Sequence, residues 1–246
     1  MNFPLIIPRL SRAFVPSSDG FTLVELLVGL AVAAVLVALA LGASTRAIDS
    51  SRAAKSLANL RVIGTAIHGY AADNDGALPT MWKLGNAPWT RPFWVDLIKP
   101  YIGDRPYDLS KPADLNYRPE IFKCPLWKFN QYVSDYGNNY FLIAYTEGEG
   151  SWFWPYKAVR LVNIPAPSRT VMVAAAGGGG GNGGTWLIRT DAFLASPDPK
   201  APTQPAPVHN NKVHALFVDG RAAAIDYDEF VKNRHEYMGT KPFSRP

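Results

Sequence analysis

DGFTLVELLVGLAVAAVLVALALGA runs from Asp19 to Ala43, and from Phe21 onward Glu25 is its only charge. Between Leu26 and Ala43 lie 18 residues without a charge, or 23 residues in all from Phe21. At ~1.5 Å per helical residue, a run of this length matches a bilayer hydrocarbon core of roughly 30 Å. A cleaved secretory signal would have a shorter apolar region before a small-x-small site, for which Ala38-Leu39-Ala40 would serve. An ordinary membrane anchor fits the length but gives Glu25 no purpose, because ionisable groups within membranes are costly and usually paired.

A cut between Gly20 and Phe21 supplies the missing partner. The new α-amino group would sit on the first residue of a helix and Glu25 on the fifth. Positions i and i+4 share a helical face, so ammonium and carboxylate become neighbours within one chain or between adjacent copies. An α-amino group titrates at about 7.7–8.0 and is mostly cationic at neutral pH. Inside a packed bundle, stranding either charge costs roughly 3–5 kcal/mol. Glu25 then acts as a registry device.

The hexapeptide Gly20-Phe21-Thr22-Leu23-Val24-Glu25, followed by an apolar helix, resembles the processing site of type IV prepilins and type II secretion pseudopilins. The resemblance implies that a prepilin peptidase cuts after Gly20 and methylates Phe21, and that Glu25 guides assembly into a filament. It also implies the partners: that peptidase, copies of the chain itself, other pseudopilins and an inner-membrane assembly platform. The leader, residues 1–20, carries Arg9 and Arg12 as a cytoplasmic segment should. It is long and rather apolar, with Asp19 where a basic or small residue is commoner. Arg46, Arg52, Lys55 and Arg61 follow the span. Positive charge generally marks the cytoplasmic side, so the resemblance, not the charge count, places the C-terminal domain outside.

Helical patterning continues past the apolar run. Ala53, Leu57, Leu60, Gly64, Ile67 and Ala71 recur at spacings of three and four, an apolar stripe on one face. Asp73-Asn74-Asp75-Gly76 and Pro79 end it, which predicts one helix over 22–72, about 75 Å long. Further along, Trp94, Leu97, Ile98 and Tyr101 predict a short amphipathic helix, and Tyr140–Tyr145, Val171–Ala176 and Thr185–Arg189 predict strands. Gly177–Gly184 reads as a flexible connection, since it lacks the GK[ST] ending of a phosphate loop. Residues 196–207 read as an extended Pro-rich loop.

Near the C-terminus, Val213, Ala215 and Phe217 alternate with His214, Leu216 and Val218, and Asp219-Gly220 suits a two-residue type I′ turn into a strand over Arg221–Ile225. Asp226 and Glu229 have capping-box spacing for a last helix reaching Met238, with Gly239 as its stop. His209, nine intervening residues and Asp219-Gly220 resemble the H-x9-DG signature of one large group of prepilin-type proteins, with Arg221 where that signature has His. Phe122-Lys123-Cys124-Pro125, Tyr136-Gly137-Asn138-Asn139-Tyr140 and Pro167-Ser168-Arg169-Thr170 resemble the same group.

Composition excludes several alternatives. Cys124 is the sole cysteine, so neither an intramolecular disulfide nor a cysteine metal cage is available. The net charge of +5 is spread without a basic run, which gives nucleic acid no footprint. His209, His214 and Asp219 invite a metal reading, but no further ligand stands nearby in sequence, so catalysis is not expected. Calcium is the one cofactor entertained: Asp73-x-Asp75-Gly76 begins like a calcium loop but lacks its later ligands.

The expectation is an α+β, pilin-like subunit: a long N-terminal helix packed on a small antiparallel sheet. Residues 1–20 form the leader, 21–43 the membrane and assembly helix, 44–72 its amphipathic continuation and 73–246 the extracytoplasmic domain. The competing expectation is a membrane-tethered domain that binds glycans or a partner through aromatics such as Trp82 and Trp152.

Overall fold

The computed structural model describes residues 20–80, 93–106, 117–127, 134–143, 159–177, 185, 187–201 and 203–239. Leader residues 1–19, Trp82, Trp152 and most of the glycine run lie outside the described residues. Two compact units are present, Met1–Arg46 and Ala47–Pro246.

Helix α1 (Leu23–Asp73) contributes to both units, and its bounds fall within one residue of those expected. Its C-terminal end is set by the Asp-Asn-Asp-Gly turn. Gly76 N–H donates to Ala71 O (2.7 Å), and Asp75 and Gly76 take positive φ. Asn74 Nδ2 donates to Tyr70 O, and Tyr101 OH donates to Asp73 Oδ2. Asn74 thus closes the helix end, while Asp73 ties it to Tyr101. Among the described residues no group of three His, Cys, Asp or Glu side chains could hold a metal ion.

In the second unit, α1 packs on a mostly antiparallel six-stranded sheet, giving an α+β fold. Its strands are β1 (Tyr136–Asn139), β2 (Val171–Gly177), β3 (Leu187–Ile188), β4 (Gln204–Pro205), β5 (Lys212–Phe217) and β6 (Ala222–Asp226). They are ordered β3-β1-β2-β5-β6, with β4 also on β2 and only β1–β3 parallel. Short helices complete the unit: α2 (Trp94–Leu97), α3 (Tyr140–Ile143), α4 (Thr190–Ala195), α5 (Tyr227–Lys232) and α6 (Arg234–Met238).

Two apolar clusters lie on opposite faces of this sheet. Leu60, Ile63 and Ile67 of α1 meet Leu216, Val218 and Val173 on one face. On the other, Phe193, Phe230 and Met238 of the short helices meet Val213, Ala215 and Phe217. Strand β5 therefore alternates between two dry faces, the period-two pattern its sequence displays. Strand β2 is buried along its whole length, and the alternation slips at Met172–Val173, where a bulge shifts its register against β5.

Four expectations need correction. Tyr140–Ile143 is helical, and the strand lies one step earlier at Tyr136–Asn139. The cause is Asn139, whose Oδ1 accepts from Phe141 N–H (3.0 Å) and turns the chain out of the sheet. The last helix breaks at Asn233, and Asp226 caps through Asp228 N–H (3.0 Å) rather than in a box with Glu229. The strand expected over Thr185–Arg189 contracts to Leu187–Ile188. The fourth correction concerns the Asp219-Gly220 turn, whose geometry bears on the C-terminal motif.

Candidate processing and assembly site

Helix α1 begins two residues after the Gly20–Phe21 peptide bond. Thr22 precedes the first helical residue, and Glu25 is third in the helix. Thr22 backbone N–H donates to Glu25 Oε2 (2.9 Å), and the Thr22 hydroxyl donates to the same oxygen (2.8 Å). In return, Glu25 N–H donates to Thr22 Oγ1 (3.2 Å). This is a reciprocal capping box, with Thr at the cap and Glu at the third position. It satisfies two of the amide hydrogens that every helix start leaves without an intrahelical partner. Glu25 therefore has a local role at the helix start, which the reading from charge alone missed. The T-x-x-E spacing was the signal that would have found it.

Gly20, Phe21 and Thr22 are all exposed, and a Cβ added at Gly20 would meet nothing within 4 Å. From Phe21 to Leu39 every described side chain is exposed, Phe21 at 87% and the aliphatic ones at 54–74% for Leu23, Val32 and their large neighbours. Exposed apolar surface this continuous marks an association or membrane surface. Burying each large side chain is worth roughly 1.5–3 kcal/mol. Among the described residues no helix is long and apolar enough to cross a membrane. The described side chains of the apolar run stop at Leu39, short of the span expected over 21–43.

The C-terminal motif proves to be the two ends of one strand. His209 opens a tight turn in which Asn210 and Asn211 both take positive φ and Lys212 N–H donates to His209 O (2.9 Å). The type I′ geometry expected at Asp219-Gly220 is thus found here. At the far end of β5 only Gly220 has positive φ, +89°. Gly220 N–H donates to Phe217 O and Phe217 N–H donates to Arg221 O, so the loop has three residues and ends in a glycine bulge. Asp219 Oδ1 accepts from Arg221 N–H (2.9 Å). The six residues of β5 separate His209 from Asp219 by about 20 Å, too far to share a ligand.

This hairpin is tied to α1 at three points. His68 Nε2 bonds to Val218 O (2.8 Å) at its tip. In the middle, Gly64 allows Leu216 to approach so closely that a Cβ would lie 2.9 Å from Leu216 Cδ1. At its base, His214 Nδ1 bonds to Ser56 Oγ (2.9 Å). Ser56 Oγ also accepts from Tyr136 OH (3.0 Å) and touches Cys124 Sγ (3.8 Å). All four residues of this knot are buried. Burial pushes the His214 imidazole down to about 4, with the charges of His209 and Lys212 adding to the effect, so it is neutral at pH 7. Burial likewise raises the Tyr136 phenol and the Cys124 thiol, so both stay protonated.

The other motif segments support the same frame. Asp135 Oδ2 accepts from Cys124 N–H (2.7 Å) and pairs with Arg118 (2.6 Å). Asn139 Nδ2 donates to Val171 O and Met238 O, while its Oδ1 accepts from Thr190 Oγ1. Thr170 O and Pro167 O accept from Val218 and Asp219 N–H at the hairpin loop.

Residues 16–41 match the family model described as the prokaryotic N-terminal methylation motif. The N-terminus is prepilin-like. The matched segment contains Gly20, Phe21, the capping box and most of the apolar run. No curated protein and no solved structure matches the chain. The likeness to prepilins thus rests on this segment, and the sheet and hairpin stand on their own geometry.

Proposed function

We propose that this chain is the precursor of a structural subunit of a type IV pilus-like filament or type II secretion pseudopilus. Prepilin peptidase removes residues 1–20, Phe21 becomes the methylated N-terminus, and residues 21–43 hold the subunit in the inner membrane before assembly. The domain beyond lies outside the cytoplasm, and the chain acts by packing against copies of itself and other pilin-like subunits. The methylation-motif match over residues 16–41 carries this reading. The start of α1 directly after the expected cut and the continuous apolar exposure of Phe21–Leu39 support it.

Glu25 changes partner in this scheme. Before the cut it accepts from Thr22, and afterwards the new ammonium is one residue from an N–H already 2.9 Å from the carboxylate. The charge is therefore held where the ammonium forms. Stacked copies can then bury both charges together at little net cost.

The test is intact-protein and N-terminal peptide mass spectrometry of membranes from cells that contain the peptidase. A chain starting at Phe21 with one added methyl group is expected. A chain retaining residues 1–20, or one starting near Ala43, overturns the proposal.

A further inference from the structure

We infer that Thr22 is a positioning residue for leader removal, one that stops helix α1 short of the scissile bond; the inference rests on the processing reading above. A peptide bond inside a helix has its N–H and C=O turned along the helix axis and its backbone coiled. A peptidase requires that backbone unwound and within reach, which is why cutting concentrates in exposed non-helical segments. Here the helix begins at Leu23, so the Gly20–Phe21 bond lies just outside it, between two exposed residues.

Residue chemistry shows why the boundary needs enforcing. Ser18 and Asp19 stand immediately upstream, and both are strong helix-capping residue types. A helix capped by either would draw Gly20 and Phe21 into its first turn. Two features oppose that shift. Gly20 is the residue that most disfavours a helix interior short of proline. The three hydrogen bonds between Thr22 and Glu25 reward a start at Leu23 and at no other residue. Thr22 carries the essential part, because its hydroxyl receives the Glu25 N–H whatever side chain stands at position 25. The two roles therefore separate: Thr22 presents the bond, and Glu25 serves the assembled state.

The experiment follows leader removal in pulse-labelled full-length chain, in cells containing the peptidase, for wild type, Thr22→Val, Thr22→Ser and Glu25→Ala. Thr22→Val keeps the side-chain shape without the hydroxyl and is expected to slow removal about fivefold, the factor that losing one cap represents. Thr22→Ser restores the oxygen and is expected to match wild type, and Glu25→Ala is expected to stay within about twofold, since the cap to its N–H survives. Thr22→Val processed at the wild-type rate overturns the inference, as does Thr22→Ser as slow as Thr22→Val. A wild-type chain never cut after Gly20 overturns the processing reading together with this one, whereas correct wild-type cutting without a Thr22 effect overturns this one alone.

Discussion

Acid should loosen the grip of α1 on the sheet, and His214 is the group through which it acts. Its ring lies on β5, 1% exposed, bonded through Nδ1 to the α1 hydroxyl of Ser56. Unfolded, the imidazole titrates near 6.5; folded, burial lowers that to about 4. The sign follows from linkage. Because the unfolded chain binds the proton more readily, the contribution is complete above 6.5 and drains away as pH falls towards 4. At ~1.36 kcal/mol per pH unit the ceiling is roughly 3 kcal/mol. Between pH 7 and 4.5, with allowance for water reaching the exposed Lys212 end of the strand, about 2 kcal/mol should be lost through this one group. For a unit of this size that is roughly 4–8 °C in Tm. The carboxylates of Glu120 and Asp191, held low by hydrogen bonds from Lys123 and Arg189, remain charged over much of this range and are common to any variant. The assay is thermal unfolding of the detergent-solubilised protein by near-ultraviolet circular dichroism at pH 7, 6, 5 and 4.5, for wild type and His214→Asn. The variant is expected to be less stable at pH 7 but to lose distinctly less on acidification. Parallel curves for the two proteins would refute the assignment.

Two further outcomes follow from contacts elsewhere. Asn139→Ala removes the donor to Val171 O and Met238 O and the acceptor for Thr190, leaving buried polar groups unsatisfied at about 3 kcal/mol; chemical denaturation measures it, and a loss under about 1 kcal/mol would contradict the clamp. Glu25→Ala should still yield a chain starting at Phe21, yet mixed expression with wild type should exclude it from sheared filaments, and equal incorporation would remove the registry argument.

What the sequence disclosed depended on how each residue spends its polarity. Helix α1, β2 and β5 were legible because apolar side chains recur at the spacing of the element that buries them. Ser56 and Asn59 were not, although Ser56 is fully buried and Asn59 nearly so, because polar helix residues are read as facing water. Only the partners, His214 and Tyr136 for Ser56 and the Lys123 carbonyl for Asn59, reveal why they turn inward. Strand β1 was misplaced for the opposite reason. Tyr-Gly-Asn-Asn has weak strand propensity, but β2 lies alongside and imposes the conformation, while the apolar Tyr-Phe-Leu-Ile that follows becomes a helical turn. Gly137 belongs there because any Cβ would fall 2.8 Å from Ile188 Cγ1 and 2.9 Å from Ala176 Cβ. At the N-terminus the hexapeptide was plain, and its T-x-x-E spacing held the capping box that a reading from charge alone passed over.

The two ends of α1 obey opposite requirements, and the residues divide accordingly. From residue 56 to 68 the helix advances about 18 Å, while β5 and its loop advance about 13 Å from 214 to 218. Contacts at 56–214, 64–216 and 68–218 therefore run in the same direction along both elements. Two of the three are hydrogen bonds and the third is a close approach onto glycine, so each depends on a particular pairing of positions. A slide of one helical turn would break them all. Among the described residues, 21–39 carry no comparable fixed polar contact beyond the Thr22–Glu25 box, and their exposed aliphatic side chains are interchangeable along the helix. Dispersion and burial alone would let neighbouring copies slide past one another, because aliphatic contact is non-directional. In the proposed filament, a single acid at a fixed distance from the ammonium that the cut would create would restore what that surface lacks, one energetically distinct register among many equivalent ones.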